Sequence, residues 1–257
     1  MRFLAIGDLV SHGGLEKLSS NITNIQQKEN IDFTIVNAEN CSEGMGLNLK
    51  DYNDLKQLNI DVITMGNHTW AKKDIFSYID NEDSLIVRPA NYSKGLPGKG
   101  YMIKNKNGKR ICVINLIGRT DMGVLSDNPF QCFDSIYQDI KERVDYIIVD
   151  FHAEATAEKI AFKNYVDDKV SCVFGTHTHV QTADEQITEK GTGFITDLGM
   201  TGPKNSVIGM DIDASLKRFV TSLPERYKVA TGVCILNGIV FEIDDEGRTI
   251  EIHRINY

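Results

Sequence analysis

Apolar strand-like runs that alternate with amphipathic helical segments are the feature that most constrains how this chain can fold. The strand-like runs are predicted at residues 2–6, 33–36, 61–65, 111–116, 146–149, 170–174 and 194–196. Apolar residues three or four apart predict helices at residues 15–30, around Tyr52, Leu55 and Leu58, and at 70–79, 133–143 and 155–165. After residue 230 the pattern becomes β, with a hairpin predicted at Asn237-Gly238 and a last strand at 248–255. Strands that alternate with helices indicate a layered α/β fold.

Composition limits the classes of function. No linker interrupts the 257 residues, so residues 1–257 are predicted to form a single domain. The net charge of −8 argues against bulk nucleic-acid binding and against adhesion to an anionic membrane. Five widely spaced cysteines without a C-x-x-C pair indicate reduced thiols. With neither a signal peptide nor a membrane-length apolar run, a cytoplasmic protein is expected.

Polar residues follow the predicted strands at the points where the strands end. They are Asp8, Glu39, Asn67, His152, His177 and His179. In open α/β sheets ligands bind beyond the carboxyl ends of the strands, so residues far apart in sequence can converge there. Imidazole, carboxylate and amide groups together favour Mn, Fe or Zn over Mg or Ca. The sequence therefore predicts a metal site at this edge of the fold.

The segment Gly175-Thr176-His177-Thr178-His179 is the densest part of this pattern. Alternate residues of an extended segment point the same way, so both imidazoles can face one point. Two polar loop residues without a ligand remain the alternative if the segment is considered alone. The other strand ends favour the metal site.

Longer strings around these residues resemble a known family over nearly the whole chain. They are Ile-Gly-Asp8, Asn-Ala-Glu39-Asn40, Thr-Met-Gly-Asn67-His68-Thr-Trp70, Val-Arg88-Pro-Ala-Asn91, Phe-His152-Ala-Glu-Ala-Thr, Gly-Thr-His177-Thr-His179-Val-Gln-Thr-Ala-Asp and Thr-Asp197-Leu-Gly-Met-Thr-Gly-Pro203. The chain resembles the YmdB-type bacterial phosphodiesterases of the calcineurin-like metallophosphoesterase superfamily. The resemblance implies a four-layer αββα sandwich with the metal site at the carboxyl ends of the strands.

The resemblance also implies a dinuclear metal site and a reaction. One metal would be held by Asp8, Glu39, Asn40 and His179, and the other by Glu39 as the bridge, Asn67, His152 and His177. Two divalent ions are expected, with Fe or Mn favoured and Zn or Mg as alternatives. A hydroxide between them would attack a 2′,3′-cyclic nucleotide or a related small phosphodiester, and His68 would protonate the leaving oxygen. RNA ends are a further candidate substrate.

The chain departs from the wider superfamily at its first strand. The usual Asp-x-His is Asp8-Leu9-Val10 here, and the usual bridging aspartate is Glu39. Asn40 is expected to take the place of the missing histidine, as the YmdB-type pattern suggests. This departure makes both general phosphatase activity and the choice of metal harder to predict.

Other residues have alternative interpretations. Arg119 and Thr120 begin a long loop and are candidates for binding phosphate or a base, although Arg119 could equally form a surface ion pair. Asp197 is a candidate partner that orients a ligand histidine, or a cap of a turn. His68 could instead lie beside a helix N-terminus without a catalytic role.

Two other functions remain open for the chain. It could be a metal- or nucleotide-sensing regulator with incidental hydrolysis, although a pure sensor does not need a proton donor such as His68. It could also be a phosphomonoesterase or protein phosphatase. A homo-oligomer is compatible with the sequence, which does not specify one.

Overall fold

The computed structural model describes residues 1–257, with fifteen strands, five α-helices and one 3-10 helix. The strands are β1 (Arg2–Ile6), β2 (Asp8–Leu9), β3 (Phe33–Asn37), β4 (Val62–Thr64), β5 (Ile86–Val87), β6 (Tyr101–Lys106), β7 (Lys109–Ile117), β8 (Tyr146–His152), β9 (Cys172–Thr176), β10 (Gln186–Ile187), β11 (Gly193–Ile195), β12 (Met200–Pro203), β13 (Cys234–Ile235), β14 (Asn237–Ile243) and β15 (Thr249–Asn256). The helices are α1 (Ser11–Lys28), α2 (Leu49–Lys56), α3 (Pro129–Ile140), α4 (Thr156–Val166) and α5 (Ile212–Thr221), and the 3-10 helix is Lys73–Ser77. None of these helices combines the length and apolar content that a membrane crossing requires.

The strands form two six-stranded sheets and one small sheet. The first sheet has the order β15-β14-β1-β3-β4-β5, and the second has the order β10-β11-β9-β8-β7-β6. β13, β12 and β2 form the small sheet. Strands β1, β3, β4 and β5 run parallel, as do β7, β8, β9 and β11. Each large sheet therefore has several carboxyl ends at one edge.

Three apolar cores separate four layers. Between the sheets, Phe3 and Phe241 of the first sheet pack in one core with Phe174 of the second. Residues of α1 and α2 cover the outer face of the first sheet, and residues of α3 and α4 cover that of the second. Fully burying a side chain of this size stabilises the fold by about 1.5–3 kcal/mol. The expected αββα sandwich is confirmed.

The hairpin predicted at Asn237-Gly238 is wrong. Both residues begin β14, where Asn237 pairs with Asn256 and Gly238 with Ile6 of β1. A Cβ at Gly238 would lie 2.3 Å from the Ala5 carbonyl oxygen, so the glycine allows close packing between strands. The chain turns instead after residue 243.

Another Asn-Gly pair does form a tight turn. Lys106 of β6 pairs with Lys109 of β7, and the two residues between them have φ of 53° at Asn107 and 78° at Gly108. Positive φ at both central residues suits the two-residue hairpin turn. No hydrophobic alternation in the sequence predicts β6, because the strand has a partly exposed, mixed surface.

The α-helix predicted at 70–79 is also wrong, because only the 3-10 helix Lys73–Ser77 forms there. Asp74 accepts a hydrogen bond from the backbone N–H of Leu49 at 2.8 Å, and the Tyr78 hydroxyl donates to the Leu47 carbonyl. The Trp70 ring stacks on Phe76 with centroids 5.3 Å apart. These tertiary contacts fix a tighter path than the apolar spacing alone indicates.

Candidate metal centre

The carboxyl ends of both sheets bring the predicted ligand residues together. β8 and β9 are in parallel register, with His152 opposite Thr176, and this places His152 beside the His177–His179 loop. Met200 of β12 pairs with Asp8 of β2, which brings Asp8 to the same place. Glu39 and Asn40 follow β3, and Asn67 follows β4. The seven predicted ligands therefore lie in one cluster.

Two glycines allow the backbone to pass very close to neighbouring groups at and beside this cluster. A Cβ at Gly66 would lie 2.3 Å from Nε2 of His152 and 2.4 Å from Oε2 of Glu39. A Cβ at Gly175 would lie 1.8 Å from the Thr196 carbonyl oxygen. Neither position has room for a side chain, because a Cβ at Gly66 would enter the cluster and one at Gly175 would meet the backbone that follows β11.

Glu39 is the buried carboxylate at the centre. It accepts hydrogen bonds from the backbone N–H of His68 at 2.8 Å and from Nδ2 of Asn40 at 3.1 Å. Nε2 of His152 lies 3.2 Å from Oε1 of Glu39. Burial raises the pKa of this carboxyl, but the His152 and His68 rings outweigh burial and lower the pKa well below its ordinary value. Glu39 is therefore ionised and available to a cation.

His152 is oriented by a chain of hydrogen bonds on its far side. Its Nδ1 lies 2.9 Å from Oγ1 of Thr176, whose hydroxyl donates to Oδ1 of Asp150 at 2.6 Å. The hydroxyl proton is thus engaged, so Nδ1 of His152 is the donor and Nε2 faces the cluster. There Nε2 lies 2.9 Å from Oδ1 of Asn67 and 3.1 Å from Nδ1 of His177.

His177 presents Nδ1 to the same point, because its Nε2 lies 3.1 Å from the Glu154 carboxylate. Burial lowers the pKa of His152, but Glu39 and Asp8 outweigh burial and raise it to about 9. Burial, followed by the charge of His152, lowers the pKa of His177 to about 3. The proton on Nε2 of His152 thus lies where the lone pairs of His177 and Asn67 also point. A metal ion bound there would displace the proton, since ligating imidazoles are neutral.

A second group of ligand atoms surrounds Asp8. Nδ1 of His179 donates to the Ile208 carbonyl oxygen at 2.8 Å, so Nε2 carries the lone pair. That Nε2 lies 3.9 Å from Oδ1 of Asp8 and 3.1 Å from Nδ2 of Asn40. Oδ1 of Asp8 is buried and has no hydrogen-bond partner, and burial raises the pKa of this carboxyl. A cation bound beside Asp8 would supply the missing partner.

The donor set fits divalent metal ions. Ligand atoms of Glu39, His152 and His177 all lie within 4.8 Å of one another, and Asp8 and His179 form the adjoining group. Each of the three imidazoles directs one nitrogen inward while an acceptor holds the other, which is typical of metal-binding histidines. Imidazole with carboxylate and amide oxygen suits Mn, Fe or Zn.

His68 lies beside the cluster and is partly exposed. Its Nδ1 donates to Oδ1 of Asn40 at 2.6 Å, and it also lies 3.5 Å from Oε1 of Glu39. Its Nε2 forms no hydrogen bond with the protein. The side chain is 27% exposed, whereas Glu39 is 1% exposed, so the ring borders the opening of the site. This geometry leaves Nε2 free to exchange a proton with a ligand.

Arg119 and Thr120 are not brought into contact with the cluster. Both are exposed, and their backbone N–H groups donate to the Glu158 carboxylate at 3.0 Å and 3.2 Å. The side chain of Arg119 forms neither a hydrogen bond nor an ion pair. The surface ion pair considered for Arg119 is therefore wrong.

Asp197 contacts the backbone of the histidine loop rather than an imidazole. Its carboxylate accepts the N–H of Thr178 at 3.1 Å and that of Gly199 at 2.8 Å. Nζ of the buried Lys159 lies 2.8 Å from Oδ2 of Asp197 and also donates to the Thr176 carbonyl at 3.0 Å. Asp197 therefore contacts no imidazole, and its bonds to the N–H groups of Thr178 and Gly199 are those of a carboxylate that caps a turn, the second of the two interpretations.

Several residues that support the site are absent from the sequence prediction. Glu154 and Asp150 each lie two residues from His152, and that spacing is the only signal that could have found them. Asp150 bridges the sheets, because it contacts Nδ2 of Asn37 at 3.2 Å as well as the Thr64 hydroxyl. Burial raises the pKa of Asp150 to about 6. No sequence signal indicates the Ile208 carbonyl.

Comparisons with known proteins agree over nearly the full length. A family model described as YmdB-like protein matches residues 4–255. A Bacillus subtilis (strain 168) protein named 2′,3′-cyclic-nucleotide 2′-phosphodiesterase is 48% identical over 99% of this chain and 96% of its own length. The solved structure of a novel phosphatase from Mycoplasma pneumoniae has a TM-score of 0.94 and 37% identity, over 100% of this chain and 93% of that chain. A hypothetical protein from Thermus thermophilus has a TM-score of 0.93 and 35% identity, over 100% of this chain and 99% of that chain.

Proposed function

Because this chain belongs to the YmdB-like protein family, we propose that it is a metal-dependent phosphodiesterase that hydrolyses 2′,3′-cyclic nucleotides. The Bacillus relative that matches nearly the whole chain bears the name of this activity. The observation that carries the proposal is the cluster of three imidazoles and two buried carboxylates, with the partly exposed His68 beside it. A small phosphodiester is the substrate class that such a site suits.

Two groups of residues would hold two divalent ions. Asp8, Asn40 and His179 form one group, and Asn67, His152 and His177 form the other. Glu39 lies between the groups, since one of its oxygens approaches both Asn40 and His152. When bound, a pair of divalent ions activates water and neutralises the phosphate oxygens. Fe or Mn is the proposed metal.

His68 is the proposed general acid. The Asn40 oxygen holds the Nδ1 proton, so the ring presents Nε2 toward the opening. Water attacks phosphorus and gives up one proton to solvent, and the bond from phosphorus to a ribose oxygen breaks. His68, protonated on both nitrogens, transfers its Nε2 proton to that oxygen and regains a proton from solvent. The name of the Bacillus relative specifies the 2′ bond, and we propose the same bond here, with a nucleoside 3′-phosphate as the product. A positioned acid of this kind contributes about 10²–10⁴-fold to the rate.

The test uses full-length protein that is stripped with a chelator and reloaded separately with Mn, Fe, Zn or Mg. The reloaded protein is expected to convert adenosine 2′,3′-cyclic phosphate to adenosine 3′-phosphate, detected by chromatography. Stripped protein is the control and should be inactive. Absence of hydrolysis with every metal would refute the proposal, and so would faster turnover of phosphoserine or nucleoside monophosphates than of the cyclic diester.

A further inference from the structure

An apolar cavity of about 260 Å³ lies between α5 and the irregular segment that follows it. Its lining includes Val207, Ile208, Met210, Phe219, Arg226 and Tyr227. The helix that forms one side has no buried residue, and Phe219 is 76% exposed. This wall of the cavity therefore contributes little to the core of the fold.

Ile208 joins the cavity to the metal centre. Its side chain lines the cavity, while its carbonyl oxygen accepts the Nδ1 proton of His179 at 2.8 Å. The backbone of Ile208 has φ of 47°, which is strained for a β-branched residue and costs about 1–3 kcal/mol in general. The strained turn directs the carbonyl at a ligand histidine and leaves the side chain half exposed on the other side.

Tyr227 lines the cavity and also contacts the turn that is hydrogen-bonded to the backbone of Glu39. Its hydroxyl donates to the Gly44 carbonyl oxygen at 3.1 Å, and Gly44 belongs to the turn in which Gly46 donates its N–H to the Glu39 carbonyl. Burial, followed by the Glu39 carboxylate, raises the pKa of Tyr227. The ring is still 44% exposed, so one surface is accessible to a ligand.

The chemistry of the cavity suits a flat aromatic ring with polar edges. Tyr227 and Phe219 supply aromatic surface, and the guanidinium groups of Arg218 and Arg226 form no ion pair or hydrogen bond in the structure. Guanidinium groups stack on nucleobases and donate to their nitrogen and oxygen acceptors. Both arginines are exposed and neither is engaged by the protein, so their guanidinium faces and donors remain available to a nucleobase beside the aromatic rings.

We propose that this cavity binds the nucleobase of the cyclic nucleotide and that Tyr227 is the residue on which the base stacks. The inference rests on the proposed function: with the phosphate at the metal centre, the base would reach the cavity past Ile208, whose carbonyl contacts His179 and whose side chain lines the cavity. Ile208 then separates the base from His179. Tyr227 acts on substrate affinity and takes no part in breaking the phosphorus–oxygen bond.

The experiment compares Tyr227→Ala and Tyr227→Phe with the wild type on two substrates. These are adenosine 2′,3′-cyclic phosphate and ribose 2′,3′-cyclic phosphate, which lacks the base. Tyr227→Ala is expected to raise the KM for the adenosine substrate about tenfold, the loss typical of one base–aromatic stack, with kcat nearly unchanged. The base-free substrate should be unaffected. Tyr227→Phe keeps the ring and loses only the hydrogen bond to the Gly44 carbonyl, so its KM for the adenosine substrate should rise far less than that of Tyr227→Ala.

A binding measurement gives a second readout that does not depend on turnover. Tyr227→Ala in chelated protein should bind adenosine 3′-phosphate about tenfold more weakly than the wild type in calorimetry. Tyr165→Ala is the matched control, because Tyr165 is 42% exposed and pairs with Asp134 on the α3 side of the molecule. That variant should change neither KM nor binding.

Three outcomes would overturn the proposal. Equal losses on both substrates would show that Tyr227 only supports the Gly44 turn. A wild type that hydrolyses the base-free substrate as efficiently as the adenosine substrate would remove the nucleobase site and leave the proposed function intact. A wild type that hydrolyses neither substrate with any metal would overturn the proposed function, and the nucleobase site with it.

Discussion

At the scale of single residues, the position of His68 suits a proton donor better than a metal ligand. Its Nδ1 is held by the Asn40 side-chain oxygen at 2.6 Å, and its Nε2 has no protein partner. We expect His68→Ala to lower kcat on adenosine 2′,3′-cyclic phosphate by about 10²–10⁴-fold while metal content is kept. Kinetics and elemental analysis of the same sample measure both effects.

The matched control for that variant is His12→Ala. His12 is exposed, and its Nε2 lies 3.1 Å from Oε1 of Glu16 on the same helix. The control should retain both the rate and the metal. A His68→Ala protein that turned over at the wild-type rate would exclude His68 as the acid.

The Asp8 carboxylate should lower the stability of the metal-free protein and raise the stability of the metal-bound protein. Its Oδ1 is buried without a partner, so the metal-free protein contains a carboxylate oxygen that nothing satisfies. Asp8→Asn is expected to stabilise the metal-free protein by about 1–3 kcal/mol, because it removes a buried charge. It should also remove most of the stabilisation that added metal produces.

Calorimetry of Asp8→Asn with and without Mn measures this reversal, with Asp139→Asn on the exposed side of α3 as the control. The control should change stability by less than about 0.5 kcal/mol in both states. If Asp8→Asn were less stable in the absence of metal and equally stabilised by metal, Asp8 would be no ligand.

At the scale of elements, a buried ion pair fixes the loop that bears His177 and His179. Lys159 of α4 is 1% exposed and contacts both Asp197 and the Thr176 carbonyl. Lys159→Met is expected to destabilise the protein by about 3–5 kcal/mol, because Asp197 then remains as an uncompensated buried charge. Metal affinity should fall as well, since the backbone of the loop loses its support.

Chemical denaturation and metal titration of Lys159→Met test this prediction. Lys141→Met is the control, because Lys141 is exposed and forms no ion pair. The control should lose less than about 1 kcal/mol. Unchanged metal affinity in a destabilised Lys159→Met protein would show that the ion pair supports α4 and not the loop.

At the scale of the whole molecule, the core between the sheets joins distant parts of the chain. Phe3 near the beginning stacks on Phe241 near the end at 5.1 Å and meets the ring of Tyr146 from the second sheet at 6.0 Å. We therefore propose that residues 1–257 form a single domain. The protein should unfold in one cooperative transition in calorimetry, and its Tm should rise with metal concentration. Two separate transitions would contradict this proposal.

The strands near the site were predictable because their local pattern agrees with their tertiary setting. β3, β8 and β9 are buried along their whole length, so their apolar runs appear in the sequence. β6 and α5 could not be predicted from apolar patterns, because β6 is partly exposed and α5 buries no residue. The Asn-Gly pairs at 107 and 237 show the same limit. An identical dipeptide is a turn in one case and lies within a strand in the other, and the close Ala5 carbonyl marks the difference.

The sequence by itself determined which chemical groups stand at the strand ends, since each strand places its next residues at the same edge of the sheet. The convergence of Asp8, Glu39, His152 and His177 was predictable on that ground. Tertiary structure alone decided which nitrogen of each histidine faces inward. For His179 the choice is made by the Ile208 carbonyl, 29 residues away. A hydrogen bond over such a separation depends on the path of the intervening chain, and no local pattern of residues encodes that path.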